Sequence, residues 1–439
     1  MITVQAPHED WIAAPRGALQ GEIEVPGDKS VSHRAIMLAA IAEGTSRIDG
    51  FLEGDDTLAT AAIFERLGVR IESPEAATRI VHGVGLDGLQ GPAKPLDCGN
   101  AGTGMRLLTG LLAGQRFDSV LTGDASLSRR PMQRVLDPLQ RMGAKIVAHD
   151  GLPPLRITGG QRLRGIEHKS EIASAQIKSA VLLAGLQAHG KTRVLEAHPT
   201  RDYTERMLRA FGWPIDFSPG VATLTGGHRL CATNVAVPAD FSSAAFFLVA
   251  ASVVPGSDVV VRRVGMNPRR TGLLRVLREM GATIEIGERG EHGGEEVADL
   301  HVRHAPLHGI DVPLDVVPDM IDEFPAFFVA AACAKGTTRI RGAAELRVKE
   351  SDRIATMAAG LRSLGVVVEE TNDGAAIHGG HLRGGNVVSH GDHRVAMAFA
   401  IAGQVAEDEV RIADIANVGT SFPGFDTLAR EAGFGLRPA

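Results

Sequence analysis

FERLGVRIE, residues 64–72, is the stretch from which the architecture can be read. It begins as the leucine- and arginine-bearing end of an amphipathic helix, passes through a glycine, and continues with the two-residue alternation of a short strand. The phrase returns as LQRMGAKIV (139–147), LRAFGWPID (208–216), LREMGATIE (277–285), LRSLGVVVE (361–369) and AREAGFGLR (429–437). Its glycines, Gly68, Gly143, Gly212, Gly281, Gly365 and Gly433, are 75, 69, 69, 84 and 68 residues apart. Chance does not produce six copies at such spacing, so the chain is an internal repeat.

A second phrase precedes each copy: an apolar helix, often ending near glycine, followed by a β-branched strand. It reads HRAIMLAAIAEGTSRIDGF from His33, IKSAVLLAGLQAHGKTRVLE from Ile177 and FPAFFVAAACAKGTTRIRG from Phe324, with the other copies starting at Thr103, Asp240 and Asp392. Glycine supplies the left-handed helix cap, and Thr, Val and Ile favour the strand that follows. Each unit therefore alternates strands with two helices, one apolar all round and buried, the other amphipathic. Six units divide into three plus three, with the boundary near 237–240. The strand around residues 21–25 precedes the first unit and is free to pair with the C-terminal lobe. The domains expected are an N-terminal lobe of 26–237 and a discontinuous C-terminal lobe of 1–25 plus 238–439.

Composition bounds the function. A chain of 439 residues exceeds the roughly 250–300 at which single cores stop growing, which agrees with two domains. With 44% hydrophobic and 22% charged residues it has the make-up of a soluble globular protein. A net charge of −6 argues against general nucleic-acid binding, though not against a small anion held by a few converging arginines. Cys98, Cys231 and Cys333 form no C-x-x-C pair and read as reduced, mostly buried thiols. The first fifteen residues carry Glu9 and Asp10 and no apolar core of a signal peptide. The longest apolar stretch, 244–254, is short of the ~18 residues a membrane span needs.

A purely structural solenoid would repeat its polar residues along with its apolar ones, and this chain does not. The segments leading into the six apolar helices are DKSVSHR, GNAGTGMR, ASAQIK, ADFSS, IDEFP and GDHR. Helix N-termini attract anions, so a symmetrical scaffold with different chemistry at each N-terminus suggests one ligand pocket. Lys29, Ser30 and Arg34 stand at the first, and the two cations can converge on an anion if the helix starts between them. Asn100, Gly102, Thr103, Gly104 and Arg106 stand at the second, and Ser128-Arg129-Arg130-Pro131 adds cations before a further helix in whose first turn Pro131 fits. Ser174 and Gln176 open the third, where helix capping would also account for them. Asp322 and Glu323 lie ahead of the fifth, equally suited to capping. Lys349, Glu350, Asp352 and Arg353 form a charge run that a solvated helix face would also explain. Asp392-His393-Arg394 opens the sixth. His301, His304 and His308 have no carboxylate pattern around them, and no metal site is expected there.

Together PGDKSVSHR, GNAGTGMR, SLSRRPM, ASAQIKSAVLLAGL, RDYTERML, RVKESDR and GDHRVAM resemble the EPSP synthase family of enolpyruvyl transferases, in the family's order, from about residue 17 to 437. The resemblance implies an α/β fold, a two-lobed inside-out α/β barrel built from six βαβαββ repeats, three per lobe. It implies transfer of the enolpyruvyl group of phosphoenolpyruvate to the 5-hydroxyl of shikimate 3-phosphate through a tetrahedral intermediate. By the same resemblance, Lys29, Ser30, Arg34, Ser174, Gln176, Arg201, Asp322 and Lys349 hold shikimate 3-phosphate. Lys29, Asn100, Gly102, Arg130, Gln176, Arg353 and Arg394 hold phosphoenolpyruvate. Asp322 is the candidate base, and Lys29 and Glu350 are the candidates for proton delivery. No metal or organic cofactor is implied, and the expected partners are the two small-molecule substrates, with no nucleic acid and no membrane, for a cytoplasmic monomer whose lobes close on the first substrate.

The chain departs from the family at three points. Thr420 stands where many members have a lysine, which shifts weight to Lys29 as proton donor. Glu345 stands where some have Asn, and Ala175 replaces a Ser, removing one hydrogen bond to substrate. Gly102 matches a position often filled by Ala in members that tolerate the inhibitor glyphosate, so sensitivity is expected. Two rival readings have other consequences. The sister enzyme acting on UDP-N-acetylglucosamine carries a K-N pair where Lys29-Ser30 stands here, and a loop cysteine absent from 114–130. A non-catalytic anion-binding repeat protein would not need Asp322 and Glu350 beside anionic ligands.

Overall fold

The computed structural model describes residues 10–171, 173–292 and 294–439. The part of the expected C-terminal lobe that comprises residues 1–9 lies outside the described residues. Contacts divide the chain into two compact units. The first is Gly27–Pro238 with Glu291–Glu295; the second comprises the described residues up to Pro26, Ala239–Gly290 and Glu296–Ala439.

In the first unit, helices α1 (Lys29–Ala40), α3 (Gly102–Leu112) and α5 (Ala175–Gly185) alternate with α2 (Asp55–Arg66), α4 (Gln133–Arg141) and α6 (Tyr203–Ala210). α1, α3 and α5 are buried on almost every side, whereas α2, α4 and α6 keep an exposed face. Gly110 lets α3 approach α5: a Cβ there would lie 2.1 Å from the Ala180 carbonyl oxygen, so any side chain would force the helices apart. Three four-stranded sheets cover these helices. In the first sheet Val235–Ala236, at the end of the unit, pairs parallel with Glu43–Asp49 near its start, Val235 opposite Ile48.

The second unit repeats the plan. Its inner helices are α7 (Phe241–Val253), α9 (Phe324–Cys333) and α11 (His393–Ala402), and its outer ones α8 (Gly272–Glu279), α10 (Arg353–Ser363) and α12 (Phe425–Glu431). Every residue of α7 is buried, and Phe247 packs on Phe422, Phe425 and Phe434. The strand Gln20–Ile23 pairs parallel with Asp258–Gly265, Gly21 opposite Val259. The strand Trp11–Ala14 lies between Val410–Ala413 and Gly435–Pro438, antiparallel to both. It fills the place that in the other sheets belongs to a strand of the same repeat.

The six glycines of the sequence repeat share one conformation, with φ from +82° at Gly212 to +110° at Gly433. Each ends an outer helix in the same way. At Gly68 the glycine N–H donates to the Glu65 carbonyl at 3.0 Å, and the next N–H, of Val69, donates to Phe64 at 3.0 Å. The same two bonds recur at Gly143, Gly212, Gly281, Gly365 and Gly433. This is the Schellman motif, in which the apolar residues flanking the bonds also meet. Phe64 and Val69, Leu208 and Trp213, and Leu361 and Val366 are such buried pairs. The recurring phrase is thus one helix stop written six times.

Three local expectations change. α1 begins at Lys29, not between Lys29 and Arg34, because Asp28 caps it by accepting from Val31 N at 2.8 Å. Pro131 lies ahead of the first turn of α4, which Met132 caps. The charged run 345–353 is no helix face: Ala344–Val348 forms a 3-10 turn, and Arg353, which opens α10, is 1% exposed. Of the cysteines, Cys98 is buried, Cys333 half-buried and Cys231 exposed.

Candidate active site

In each unit, the polar residues gather at the N-termini of the inner helices and in the turns just before the outer ones. In the first unit, Lys29 opens α1 and its Nζ pairs with Asp56 Oδ2, in the first turn of α2. Arg34 is buried and held at three points, donating from Nε to Thr204 Oγ1 (2.7 Å), from Nη1 to the Ser30 carbonyl (2.9 Å) and from Nη2 to Ser179 Oγ (2.8 Å). Burial, and next the neighbouring Arg201, lower its pKa to about 10, which still leaves it charged at neutral pH. Arg201 is half-buried two residues before α6.

At α3, the Arg130 guanidinium meets Asn100 and Ser126. Its Nη2 donates to Asn100 Oδ1 at 2.5 Å and to Ser126 Oγ at 3.1 Å, and its Nη1 to the Asn100 carbonyl at 3.2 Å. Asn100 is in turn fixed by donating from Nδ2 to Asp124 Oδ2 at 2.7 Å. Gly102 opens α3 under these groups, and a Cβ there would stand 3.0 Å from Arg130 Nη1 and 3.1 Å from Arg106 Nη1. Gln176 bridges α5 to α3, donating to Thr103 Oγ1 (2.8 Å) and accepting from Arg106 Nη1 (2.9 Å). Ser174 caps α5, its hydroxyl accepting from Ile177 N at 3.5 Å. Behind this face lies a buried ion cluster. Lys178 Nζ is 2.9 Å from both Glu196 Oε2 and Glu205 Oε1, and donates to the Thr200 carbonyl at 3.2 Å, which ties down the segment bearing Arg201.

In the second unit, Asp322, Lys349, Glu350, Arg353 and Arg394 come together. Asp322 Oδ1 lies 3.6 Å from Lys349 Nζ and 3.7 Å from Arg353 Nη1, and its carbonyl accepts from Arg394 Nη1 at 3.2 Å. Arg353 donates from Nε to Asp392 Oδ2 (2.8 Å) and from Nη2 to Glu350 Oε2 (2.6 Å). Burial works against its charge, but Asp392 and Glu350 outweigh that and raise its pKa. Its Nη1 has no hydrogen-bond partner among the described residues. Asp392 caps α11 through Arg394 N. Thr420 donates to the Asn417 carbonyl at 2.7 Å.

Three participants were not singled out from the sequence: Asp56, Asp392 as partner of Arg353, and Arg270. Glu323 does not cap α9 with its side chain; its carboxylate meets Ser242 and Arg270 instead. The repeat register held a signal for Arg270. It stands 11 residues before Gly281, as Arg201 stands 11 before Gly212 and Arg353 12 before Gly365. Among the described residues, no cluster of His, Cys, Asp and Glu has the spacing of a metal site.

Comparison with known proteins gives the class and then the family. The fold matches an enolpyruvyl transferase from Streptomyces tendae with a TM-score of 0.79 over 98% of this chain and 99% of that one, at 18% identity, a likeness of fold alone. An EPSP synthase structure from Acinetobacter baumannii matches with a TM-score of 0.88 at 50% identity, over 98% of this chain and 100% of that one. The 3-phosphoshikimate 1-carboxyvinyltransferases of Xanthomonas axonopodis pv. citri (strain 306) and Xanthomonas campestris pv. campestris (strain B100) are each 69% identical, over 98% of both chains. The family model of EPSP synthase (3-phosphoshikimate 1-carboxyvinyltransferase) matches residues 13–428. The chain belongs to the EPSP synthase family, and its fold is the inside-out α/β barrel of six repeats.

Proposed function

We propose that this protein is an enolpyruvyl transferase of the shikimate pathway, moving the enolpyruvyl group of phosphoenolpyruvate to the 5-hydroxyl of shikimate 3-phosphate and releasing phosphate. The observation that carries this reading is the second-unit cluster in which Asp322 is flanked by Lys349 and Arg353, with Glu350 on the same arginine. A binding protein for anions gains nothing from two carboxylates there; a proton-transfer site needs them.

In this reading Ser30, Arg34, Ser174, Gln176, Arg201 and Lys349 hold shikimate 3-phosphate, and Asn100, Gly102, Arg130, Gln176, Arg353 and Arg394 hold phosphoenolpyruvate. Lys29 serves both. Arginines dominate because a guanidinium binds carboxylate and phosphate through two parallel bonds. Asp322 takes the proton of the 5-hydroxyl as its oxygen attacks C2, and C3 gains a proton to give the tetrahedral intermediate. Loss of phosphate and of a C3 proton then forms the vinyl ether. Lys29, beside Asp56, and Glu350, paired with Arg353, are the two candidates for delivering the proton to C3, and the conjugate base so formed takes a C3 proton back in the second step. The lobes are assigned as 26–237 and 1–25 plus 238–439. The protein works as a cytoplasmic monomer with no partner beyond its substrates. No helix among the described residues is long and apolar enough to cross a membrane, and the net charge of −6 disfavours nucleic acid.

The test is phosphate release from phosphoenolpyruvate, with and without shikimate 3-phosphate. Release that depends on the shikimate ester and vanishes in Asp322→Ala is expected. Turnover with UDP-N-acetylglucosamine instead would move the chain to the sister activity, and calorimetric binding without product would make it a binding protein.

A further inference from the structure

Arg270 lies in the turn before α8 with its side chain 4% exposed, and it touches three carboxylates. Its Nη2 donates to Ser242 Oγ at 2.5 Å and to Asp240 Oδ1 at 3.2 Å, both at the N-terminus of α7. Its Nη1 donates to Asp322 Oδ2 at 3.2 Å and lies 3.5 Å from Glu323 Oε1. The other oxygen of Asp322 faces Lys349 and Arg353. We propose that Arg270 is a positioning residue for the transfer: its planar fork pins Oδ2 of Asp322 to the N-terminus of α7, so that Oδ1 is the oxygen presented to the acceptor hydroxyl. This rests on the reading of Asp322 as the base.

The physical need is rotational. The carboxylate turns about a broad, roughly two-fold torsion, and with cations on one side only it would swing both oxygens toward Lys349 and Arg353. A guanidinium on Oδ2 removes that freedom before substrate arrives, which is what placing a base within reach of one proton requires. The fork also separates two acids that follow each other in sequence. Burial pushes the Glu323 carboxyl up, Arg270 opposes that and the charge of Asp322 adds to it, while Ser242 holds Glu323 away on α7. Lysine, a single charged point on a flexible stem, cannot reach Ser242 and Asp322 at once.

The experiment compares Arg270→Gln and Arg270→Lys in the full chain, measuring kcat and KM for both substrates. Loss of a charged hydrogen bond that acts through the base predicts a kcat about ten- to a hundredfold lower in Arg270→Gln, with each KM within about threefold. Arg270→Lys keeps the charge and loses the fork, so it should recover little of that loss. Combined with Asp322→Asn, Arg270→Gln should lower the residual rate by no more than about threefold, because two residues acting through one group are not additive. Near-normal kcat in Arg270→Gln, full rescue by lysine, or multiplicative losses in the double variant would each overturn the proposal. Near-normal kcat in Asp322→Asn would instead remove the reading of Asp322 as base. If the Arg270 variants do not fold, as judged by circular dichroism, Ser242→Ala removes one anchor of the fork and leaves every charge. Its kcat should fall about three- to tenfold at constant KM, and an unchanged kcat would overturn the proposal as well.

Discussion

Replacing Gly102 by alanine adds one methyl group at the first residue of α3, and the structure says what that group meets. Its Cβ would lie 3.0 Å from Arg130 Nη1, 3.1 Å from Arg106 Nη1 and 3.7 Å from Leu127 Cδ1. The first two are the far ends of long side chains, so each guanidinium needs to give by only a few tenths of an ångström. Nothing in the backbone opposes the change: Gly102 is helical and is not among the residues of positive φ. The fold should therefore keep its melting temperature within a few degrees, because a helical glycine accepts alanine where only the far ends of flexible side chains must move. The consequence falls on the ligand. Arg130 Nη1 also donates to the Asn100 carbonyl, so, with Arg130 a proposed phosphoenolpyruvate ligand, a displaced guanidinium would both lose alignment toward that substrate and narrow the space beside it.

A charged hydrogen bond is worth about 1.5–3 kcal/mol, and a small misalignment forfeits part of it, so KM for phosphoenolpyruvate should rise about fivefold. On the proposed phosphoenolpyruvate site, glyphosate, the longer molecule, would extend into the space the methyl takes. Overpacking of that kind costs about 1–3 kcal/mol, or about five- to a hundred-and-fifty-fold in its inhibition constant, on top of the loss shared with substrate. Steady-state phosphate release against both ligands gives the two ratios from one series of measurements. Wild-type protein should be inhibited at concentrations comparable with its KM, and Gly102→Ala should lose inhibitor more than substrate. An inhibition constant unchanged, or raised only in step with KM, would refute the steric reasoning.

Other positions give sharper tests of the frame than of the ligand. Lys178→Met should destabilise the protein by about 3–5 kcal/mol in urea titrations, since it leaves two buried carboxylates facing each other. Burial already pushes Glu205 up, so the deficit should shrink as pH falls and Glu205 takes up a proton. His33 is fully buried, its Nδ1 on Thr60 Oγ1 at 2.8 Å, and burial, then Lys29 and Arg34, hold it well below 6.5. Only the unfolded chain takes up its proton below 6.5, so its contribution is complete above that pH and is lost as pH falls. Between pH 7.5 and 5.5 wild type should lose about 1.4 kcal/mol more than His33→Leu, and equal slopes would disprove this. Arg353→Lys loses the paired bonds to Asp392 and Glu350, and should raise KM for phosphoenolpyruvate about tenfold or more, measurable by the same phosphate assay.

What was legible in the sequence is what short-range physics dictates. The Schellman stop needs a left-handed glycine and an apolar residue on each side, all within six residues, so it shows as a phrase and gives the repeat count. Asp28, Ser174, Asp240 and Asp392 cap inner helices from the next turn, and the segments leading into those helices were legible for the same reason. The strand Trp11–Ala14 was not legible, because four residues carry little periodicity and its partners lie about 400 residues away in the sequence. Nor were the pairings among side chains. Ser242 with Glu323 joins residues 81 apart and Arg353 with Asp392 residues 39 apart. Such distances leave no local trace, so an isolated N-P-R-R reads as a turn, although its place in the repeat marks Arg270 as the counterpart of Arg201 and Arg353.

The two units use the same scaffold and neutralise their cations differently, and this difference carries more meaning than any one residue. In the first unit, Arg130 rests on Asn100 and Ser126, Arg34 on Thr204, Ser179 and a carbonyl, and Arg106 on Gln176 and a carbonyl. These partners are uncharged. Such bonds fix orientation without themselves cancelling charge, which suits a ligand with several negative groups, at little cost in reorganisation. Lys29 differs, because its Nζ pairs with Asp56. In the second unit, Arg353 rests on Asp392 and Glu350 and Arg270 on Asp240 and Asp322, so charge is nearly balanced within the cluster. A balanced cluster attracts anions less, but it holds carboxylates in defined positions beside cations, the condition for moving protons. On this division, anchoring belongs mainly to the first unit and acid–base work mainly to the second. Charge-removing substitutions in the first unit should therefore act chiefly on KM, whereas loss of the Arg270 fork in the second should act chiefly on kcat.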